Sequence, residues 1–298
     1  MKFAAIDIGS NAVRLLFSNV IENGEVSFKK AELIRIPIRL GEDSFLHQRI
    51  SDEKTEKLIT AMKAFYHLIQ VYEPIDYRAC ATSAMRDALN GKEIIERIKA
   101  EAGINVEIID GKNEAQIIYS NHIAEHLDHD KSYLYIDVGG GSTELTLFSN
   151  NEVVASKSFN IGTIRLLHGQ IDKEAWNNFK DWVKAVSEPY HPLMAIGSGG
   201  NINKIYKMLR KKDKPLHFTE LKAFSDLINS YTYDDRIKIL GLNPDRADVI
   251  VPATKIFRSI MKAAGAEEII VPQIGLSDGI IHLLYENYRS KVDELHHI

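Results

Sequence analysis

The chain opens on a run of apolar residues, Phe3-Ala4-Ala5-Ile6-Asp7-Ile8, that gives way at once to the small polar Gly9-Ser10-Asn11. Such a run followed by turn formers predicts a buried strand and a tight loop. Two apolar segments then flank Glu22-Asn23-Gly24, and the Asn-Gly step predicts a hairpin. The same order returns further along: an apolar run from Tyr133 to Val138, the glycines Gly139, Gly140 and Gly141, then two segments meeting at Asn150-Asn151. Beyond Gly141, the residues Ser142, Glu144 and Thr146 alternate with Thr143, Leu145 and Leu147, a period of two that predicts a strand where a helix would repeat near 3.6. Asp7 and Arg14 are seven residues apart, as are Asp137 and Glu144, and both segments end in Leu-Phe-Ser-Asn. The repetition predicts an ancient duplication with one copy per domain.

Between the copies, Ser51 is placed to cap a helix whose Leu58, Met62, Phe65 and Ile69 form one buried stripe. "YRACAT" reads as a strand, "SAMRDALNGKEIIERIKAEAG" mostly as helix and "INVEIID" as a strand, before "NEAQIIYSNHIAEHL" starts a helix at Asn113 or Glu114. The second half repeats the theme, with "LMAIGSGGNINKIYKML" as strand, glycine loop and helix. The alternation predicts an α/β protein. The polar stretch from Glu125 to Ser132 predicts the linker, giving domains over residues 1–125 and 126–298.

Composition narrows the classes. A length of 298 residues exceeds one ordinary core and leaves room for a cleft between two domains. The 45% hydrophobic and 26% charged content is that of a soluble globular chain, and no apolar run has membrane-spanning length. Asp7 interrupts the stretch that a signal peptide would need, so the cytoplasm is the expected compartment. The single cysteine, Cys80, excludes an intrachain disulfide framework and a cysteine zinc site, and core packing is its expected role. A net charge of −4 argues against a broad nucleic-acid surface. The local cluster Lys204, Lys207, Arg210, Lys211, Lys212 and Lys214 reads first as a solvated helix face, with guidance of a polyanion as the alternative. "HIAEH" at His122 to His126 matches the His-x-x-Glu-His pattern of some zinc proteases, but its place at a helix end reads as a solvated terminus.

Glycines after a buried strand let successive backbone N–H groups converge on an anion, because no Cβ blocks the approach. A dinucleotide loop would continue as Gly-x-Gly-x-x-Gly into a helix, and a P-loop would carry Gly-Lys-Ser/Thr; neither pattern is present. The motifs "DIGSNAVRLL", "ATSAMRDALN", "IIDGKNEAQIIY", "DVGGGSTEL" and "FNIGTIRL", with a weaker "RADVIVPA", occur in the order found in the exopolyphosphatase and guanosine pentaphosphatase family, which this chain resembles. The resemblance implies two ribonuclease-H-like lobes of the actin-like ATPase fold around a central cleft. It also implies removal of terminal phosphate from inorganic polyphosphate or guanosine pentaphosphate with Mg²⁺.

Residue by residue, the resemblance assigns Asp137 and Glu144 to the metal and Glu114 to the general base. Asp7, where a strand enters the first loop, is a further candidate metal ligand. Arg14, Arg86 and Arg165 are the candidate phosphate clamps, since a guanidinium fork matches phosphate oxygens. Gly9, Ser10, Asn11, Gly139, Gly140, Gly141, Ser142 and Thr143 complete the candidate phosphate-binding set. The loop from Gly197 to Gly200 lies where this fold class often holds adenosine; in a polyphosphatase the expected occupant is chain phosphates or none.

The chain departs from the family pattern in three places. Asn113-Glu114-Ala115 keeps only the second of two acids, Ser277-Asp278 replace the usual arginine and glutamate, and Ala253-Thr254 stand where glycine is common. The end at Ile298 leaves no extra helical domains for long polymers, which points to a short-chain or nucleotide substrate. The leading expectation is an exopolyphosphatase, with guanosine pentaphosphate hydrolysis as the alternative. A kinase of the same fold and a non-enzymatic polyphosphate or alarmone sensor rank lower. No nucleic-acid or membrane partner is expected, and a homodimer stays open.

Overall fold

A computed structural model describes residues 1–119, 128, 131–150, 152–212 and 214–296. The His122 to His126 pattern and most of the expected linker lie outside the described residues. Contacts divide the chain into two compact units, Met1–Ile123 with Ile274–Ile298, and Ala124–Gln273.

The first unit begins with β1 (Lys2–Ile8), β2 (Val13–Asn23) and β3 (Glu25–Ile36), followed by α1 (Leu40–His47) and α2 (Asp52–Tyr72). It continues through β4 (Asp76–Ala81), α3 (Ser83–Asp87), α4 (Gly91–Ala102), β5 (Val106–Ile108) and α5 (Gly111–Tyr119). The second unit holds β6 (Ser132–Val138), β7 (Thr143–Ser149), β8 (Glu152–Phe159), α6 (Thr163–Leu167), α7 (Lys173–Ser187), β9 (Leu193–Ser198) and α8 (Gly200–Met208). It closes with β10 (Leu216–His217), α9 (Phe218–Ser230), α10 (Tyr233–Lys238), α11 (Pro244–Ala247), α12 (Ile250–Ala264) and β11 (Glu268–Ile270). The last helix, α13 (Leu276–His296), returns to the first unit.

The two sheets are built alike. The first has the order β3-β2-β1-β4-β5 and the second β10-β11-β9-β6-β7-β8, so β8-β7-β6-β9-β11 repeats the first with one short strand added. Within each, two antiparallel hairpins lead into parallel strands. The duplication extends to single bonds. Gly9 N–H donates to Ala12 O at 3.2 Å and Gly139 N–H to Ser142 O at 3.0 Å, closing the same turn 130 positions apart. Each hairpin then bulges at the same place, between Phe17 and Ser18 and between Leu147 and Phe148. The Leu-Phe-Ser-Asn echo is out of step with this equivalence: register pairs Lys2 with Asn19 but Ser132 with Ser149, so the echoed tetrapeptides sit one residue apart.

The helix α2 forms as its pattern predicts. Ser51 Oγ accepts from Lys54 N–H at 3.4 Å, and Leu58, Met62 and Phe65 are fully buried. In the second unit, Ile256, Phe257, Ile260 and Met261 of α12 recur at helical spacing and bury against the apolar positions of β6, β7 and β9. Both faces of β7 are covered, so the alternation in its sequence separates two buried faces and not a wet side from a dry one.

The domain boundary drawn from sequence needs correction at the C-terminus. Residues 274–298 belong with the first unit and not with the second lobe expected over 126–298. The reason is packing: the Phe3 ring of β1 meets Tyr285 and Tyr288 of α13 edge-on, with centroids 6.4 and 5.9 Å away. Tyr285 and Arg289 also bond to Glu22 of β2. Asp278, read from sequence as a departure from the family pattern, has structural work. It accepts from Gly275 N–H at the start of α13 and from Lys30 Nζ of β3.

Candidate functional site

In the first unit, the turn after β1 places Asp7 directly across from Arg14 of β2. Arg14 Nη1 donates to Asp7 Oδ2 at 2.5 Å, and Asp7 is buried. The sequence-based assignments, Asp7 to a metal and Arg14 to phosphate, therefore meet each other first. Their ion pair fixes both groups at the mouth of the turn. Ser10 shares a hydrogen bond with Ser83 Oγ of α3 at 2.9 Å, while Ser10 O accepts from Gly41 N–H and Asn11 O from Arg39 N–H. The loop is thus clamped between the starts of α3 and α1.

Arg86 lies on α3, and its Nη1 donates to Ile109 O at 2.9 Å. That carbonyl is next to Asp110, whose Oδ1 accepts from Asn113 N–H and caps α5. The helix starts at Gly111, two or three residues before the Asn113 or Glu114 expected, because Asp110 supplies a cap that the motif alone did not reveal. Glu114 falls in the first turn, where the helix dipole favours a carboxylate, and it is buried with 9% of its surface exposed. Cys80 is fully buried beside this edge of the sheet. Burial pushes its thiol up to about 12, with Arg78 opposing and Glu107, Asp7 and Glu114 adding to the rise. A thiol so held is inert at neutral pH, in keeping with a packing role.

In the second unit, the equivalent turn brings Asp137 and Glu144 together as direct cross-strand partners on β6 and β7. An oxygen of each carboxylate lies within 4.8 Å of the other, and both residues are buried. Ser158 of β8 donates to Glu144 Oε1 at 2.8 Å and orients it. Two hard, anionic oxygens this close suit a Mg²⁺-class cation, whose charge relieves their repulsion. The donor set therefore fits a divalent metal.

The triple-glycine loop is held from behind. Thr163 N–H donates to Gly139 O at 3.0 Å and Ile164 N–H to Gly140 O at 2.9 Å, so α6 begins on the loop's own carbonyls. Arg165 Nε donates to Gly141 O at 2.9 Å, which makes this arginine a brace of the loop before any contact with phosphate. Thr143, expected to offer its side chain to phosphate, is fully buried, and its hydroxyl donates to Ile161 O at 2.5 Å. Ser142 is likewise buried.

Sequence reasoning missed several contributors. Gly162 must lack a side chain, since a Cβ there would stand 2.3 Å from Gly140 O. The third glycine loop approaches Asp137 itself: Gly199 has φ +103°, and a Cβ on it would lie 3.0 Å from Asp137 Oδ1. Arg246, in the "RADVIVPA" segment, donates through Nη1 to Gly200 O and ties α11 to that loop. The motif was legible, but the contact it makes, 46 residues back along the chain, was not.

A sequence profile of the Ppx/GppA phosphatase family matches residues 20–287. The chain belongs to the Ppx/GppA phosphatase family. It is 29% identical over 313 residues to a bifunctional 3-dehydroquinate synthase/phosphatase of Fusobacterium nucleatum, matching 97% of this chain and 47% of that protein. An exopolyphosphatase 2 of Mycobacterium tuberculosis is 26% identical, with 94% of this chain and 97% of that one matched. A guanosine-5'-triphosphate,3'-diphosphate pyrophosphatase of Aliivibrio fischeri is 23% identical over 99% of this chain and 60% of its own length. The chain thus spans about half the length of the first of these relatives and nearly all of the second. The crystal structure of the Aquifex aeolicus Ppx/GppA family member superposes with a TM-score of 0.74 at 27% identity, covering 96% and 99% of the two chains. That of an exopolyphosphatase from Cytophaga hutchinsonii gives 0.83 at 22% identity over 96% and 98%. The fold is the two-domain actin-like ATPase fold of this family. Among the described residues no helix is long and apolar enough to cross a membrane.

Proposed function

We propose that this Ppx/GppA phosphatase hydrolyses terminal phosphoanhydride bonds, releasing orthophosphate from inorganic polyphosphate. The observation that carries the reading is the buried pair of cross-strand carboxylates, Asp137 and Glu144, beside a glycine loop braced by α6 and Arg165. Asp137 and Glu144 would hold Mg²⁺. The ion, when bound, neutralises phosphoryl oxygens as charge shifts toward the leaving group. The backbone N–H groups of Gly140 and Gly141, in the turn that the Gly139 N–H closes, bind the terminal phosphate, and Glu114 accepts a proton from the attacking water. The water oxygen forms the new bond to phosphorus as the bridging P–O bond breaks, and the shortened chain leaves with the electron pair on its oxygen. Arg14 and Arg86 set the loops and the Glu114 helix in place, and their remaining N–H donors serve the phosphate. The compartment we assign is the reducing cytoplasm, which suits a single buried thiol.

Polyphosphate is preferred over guanosine pentaphosphate because the exopolyphosphatase relative matches this chain along nearly its whole length, whereas the pyrophosphatase is 60% covered. The second reading keeps the same centre and adds a guanosine contact. Rates of Mg²⁺-dependent phosphate release from short polyphosphate, long polyphosphate and guanosine pentaphosphate test both. Release from the nucleotide alone overturns the first reading, and release from none of them overturns the hydrolytic assignment.

A further inference from the structure

A basic groove of about 330 Å³ lies within the second unit, between α9 and α12. None of the residues lining it belongs to the glycine loops. Arg258 and Ser259 lie three and four residues after Lys255 and four and three before Lys262 on α12, so one face of the helix turns them all into the groove. Three positive charges meet a single carboxylate, Asp226 of α9, in a protein whose net charge is −4.

The donors are arranged and mostly uncommitted. Arg258 Nη1 bonds to Ser225 Oγ at 3.0 Å and to Asp226 Oδ1 at 2.9 Å, which fixes the guanidinium plane and leaves its Nε and Nη2 as donors. Ser225 in turn donates to Thr254 Oγ1 at 3.1 Å, so the two helices are locked together beneath the arginine. Lys255 rests its ammonium 5.3 Å from the Trp176 ring, a contact that holds the side chain without cancelling its charge. Lys262 is exposed and has no carboxylate within salt-bridge distance among the described residues, in contrast to Lys54, Lys57 and Lys211, which all do. A preset fork, two ammonium groups, the Ser259 hydroxyl and the Asn229 amide facing one small space match an oxyanion of more than one charge.

We propose that the α9–α12 groove binds a phosphate-class oxyanion, either orthophosphate or a stretch of phosphate chain. The inference stands apart from the hydrolytic reading, since it uses none of the loop residues. It is tested on the full chain without Mg²⁺ by ¹H–¹⁵N NMR, following the Asn229 side-chain amide and the Arg258 Nε–H during titration with orthophosphate and, separately, tripolyphosphate. Saturable shifts of both signals are expected. Equal midpoints for the two probes identify free phosphate as the ligand, and a midpoint at least tenfold lower for tripolyphosphate identifies the chain. Lys262→Glu, an exposed change that removes no internal contact, raises the midpoint at least tenfold at these signals and leaves the responses of the Gly139 to Gly141 amides unchanged, while Lys262→Arg restores it. Shifts reproduced by potassium chloride at equal ionic strength, or unaltered by Lys262→Glu, overturn the proposal. If phosphate release fails but the groove signals saturate, only the hydrolytic reading falls. If release persists and the signals stay still, only this one does.

Discussion

Glu144 occupies, opposite Asp137, the position that Arg14 occupies opposite Asp7. The same hairpin occurs in both units, and at this cross-strand position the charge is reversed between them. In the first, the acid is neutralised by the fold itself through a 2.5 Å ion pair. In the second, acid faces acid, and a divalent cation is the natural third member. Glu144→Gln is therefore expected to abolish the thermal shift produced by Mg²⁺, which for wild type at about 100 times the dissociation constant amounts to about 2.7 kcal/mol. Metal-free stability does not fall, because a like-charge contact has been removed. Calorimetry with Mg²⁺ and with a chelator checks both halves, and a retained Mg²⁺ shift contradicts the assignment.

Glu114→Gln tests the proposed base separately from the proposed metal ligands. The amide keeps the size and the place of the carboxyl in the first turn of α5 but accepts no proton from water. Turnover is expected to drop by about 10²- to 10⁴-fold, the range for loss of a general base. Binding of tripolyphosphate, followed by calorimetry in Ca²⁺, stays within about threefold of wild type on the arithmetic that 1.4 kcal/mol is a factor of ten. A variant that turns over normally removes Glu114 from the chemistry.

How much of this could be read in advance depends on range. The hairpins and the seven-residue spacing were legible because a strand, a four-residue turn and a returning strand fix register locally, and register alone brings Asp137 to Glu144. Period-two alternation likewise gave β7. What was hidden depends on residues far apart in sequence. Phe3 finds Tyr285 across almost the whole chain, so α13 was misassigned to the second lobe. Arg165 and Thr143 were read as phosphate groups from motif context, yet Arg165 bonds to the Gly141 carbonyl and the Thr143 hydroxyl to that of Ile161. Side-chain type announces the bonds a residue can make, and the fold decides which are made.

Two glycines outside the repeated loops should prove as restrictive as those within them. In Gly162→Ala the added methyl meets the Gly140 carbonyl, which must shift and carry the Gly139 to Gly141 loop with it. A loss of about 1–3 kcal/mol of stability, the usual cost of overpacking, accompanies a fall in activity. Gly199→Ala combines a strained positive φ with a methyl against Asp137 Oδ1. It weakens the Mg²⁺ thermal shift more than it lowers metal-free stability. Equal losses in the two measurements would mean that the third loop supports the fold and not the metal.

The support of the first loop carries a pH signature. Arg39 N–H donates to Asn11 O, and Lys54 Nζ gathers Arg39 O, Glu42 Oε2 and Asp43 Oδ1 at 2.8, 3.2 and 2.7 Å. For Glu42, burial alone would raise the carboxyl, but hydrogen bonds and charge from Arg39 and then Lys54 hold it below its ordinary 4.5. Burial of Asp43 is likewise outweighed, by bonds from Lys54 and Ser51 that hold it below 3.8. A depressed carboxyl stabilises the fold above its unfolded value and loses that contribution as pH falls through the folded one. Lys54→Met is therefore expected to cost about 1 kcal/mol at pH 7, the upper range for a partly exposed ion pair. The gap to wild type narrows as pH falls below 4.5 and 3.8 and through the lowered folded values of Glu42 and Asp43, where the carboxyls become protonated in either protein. Denaturant unfolding at pH 7 and near pH 3 measures the two gaps. A gap that stays constant across this window assigns the role of Lys54 to its packed stem and not to its charge.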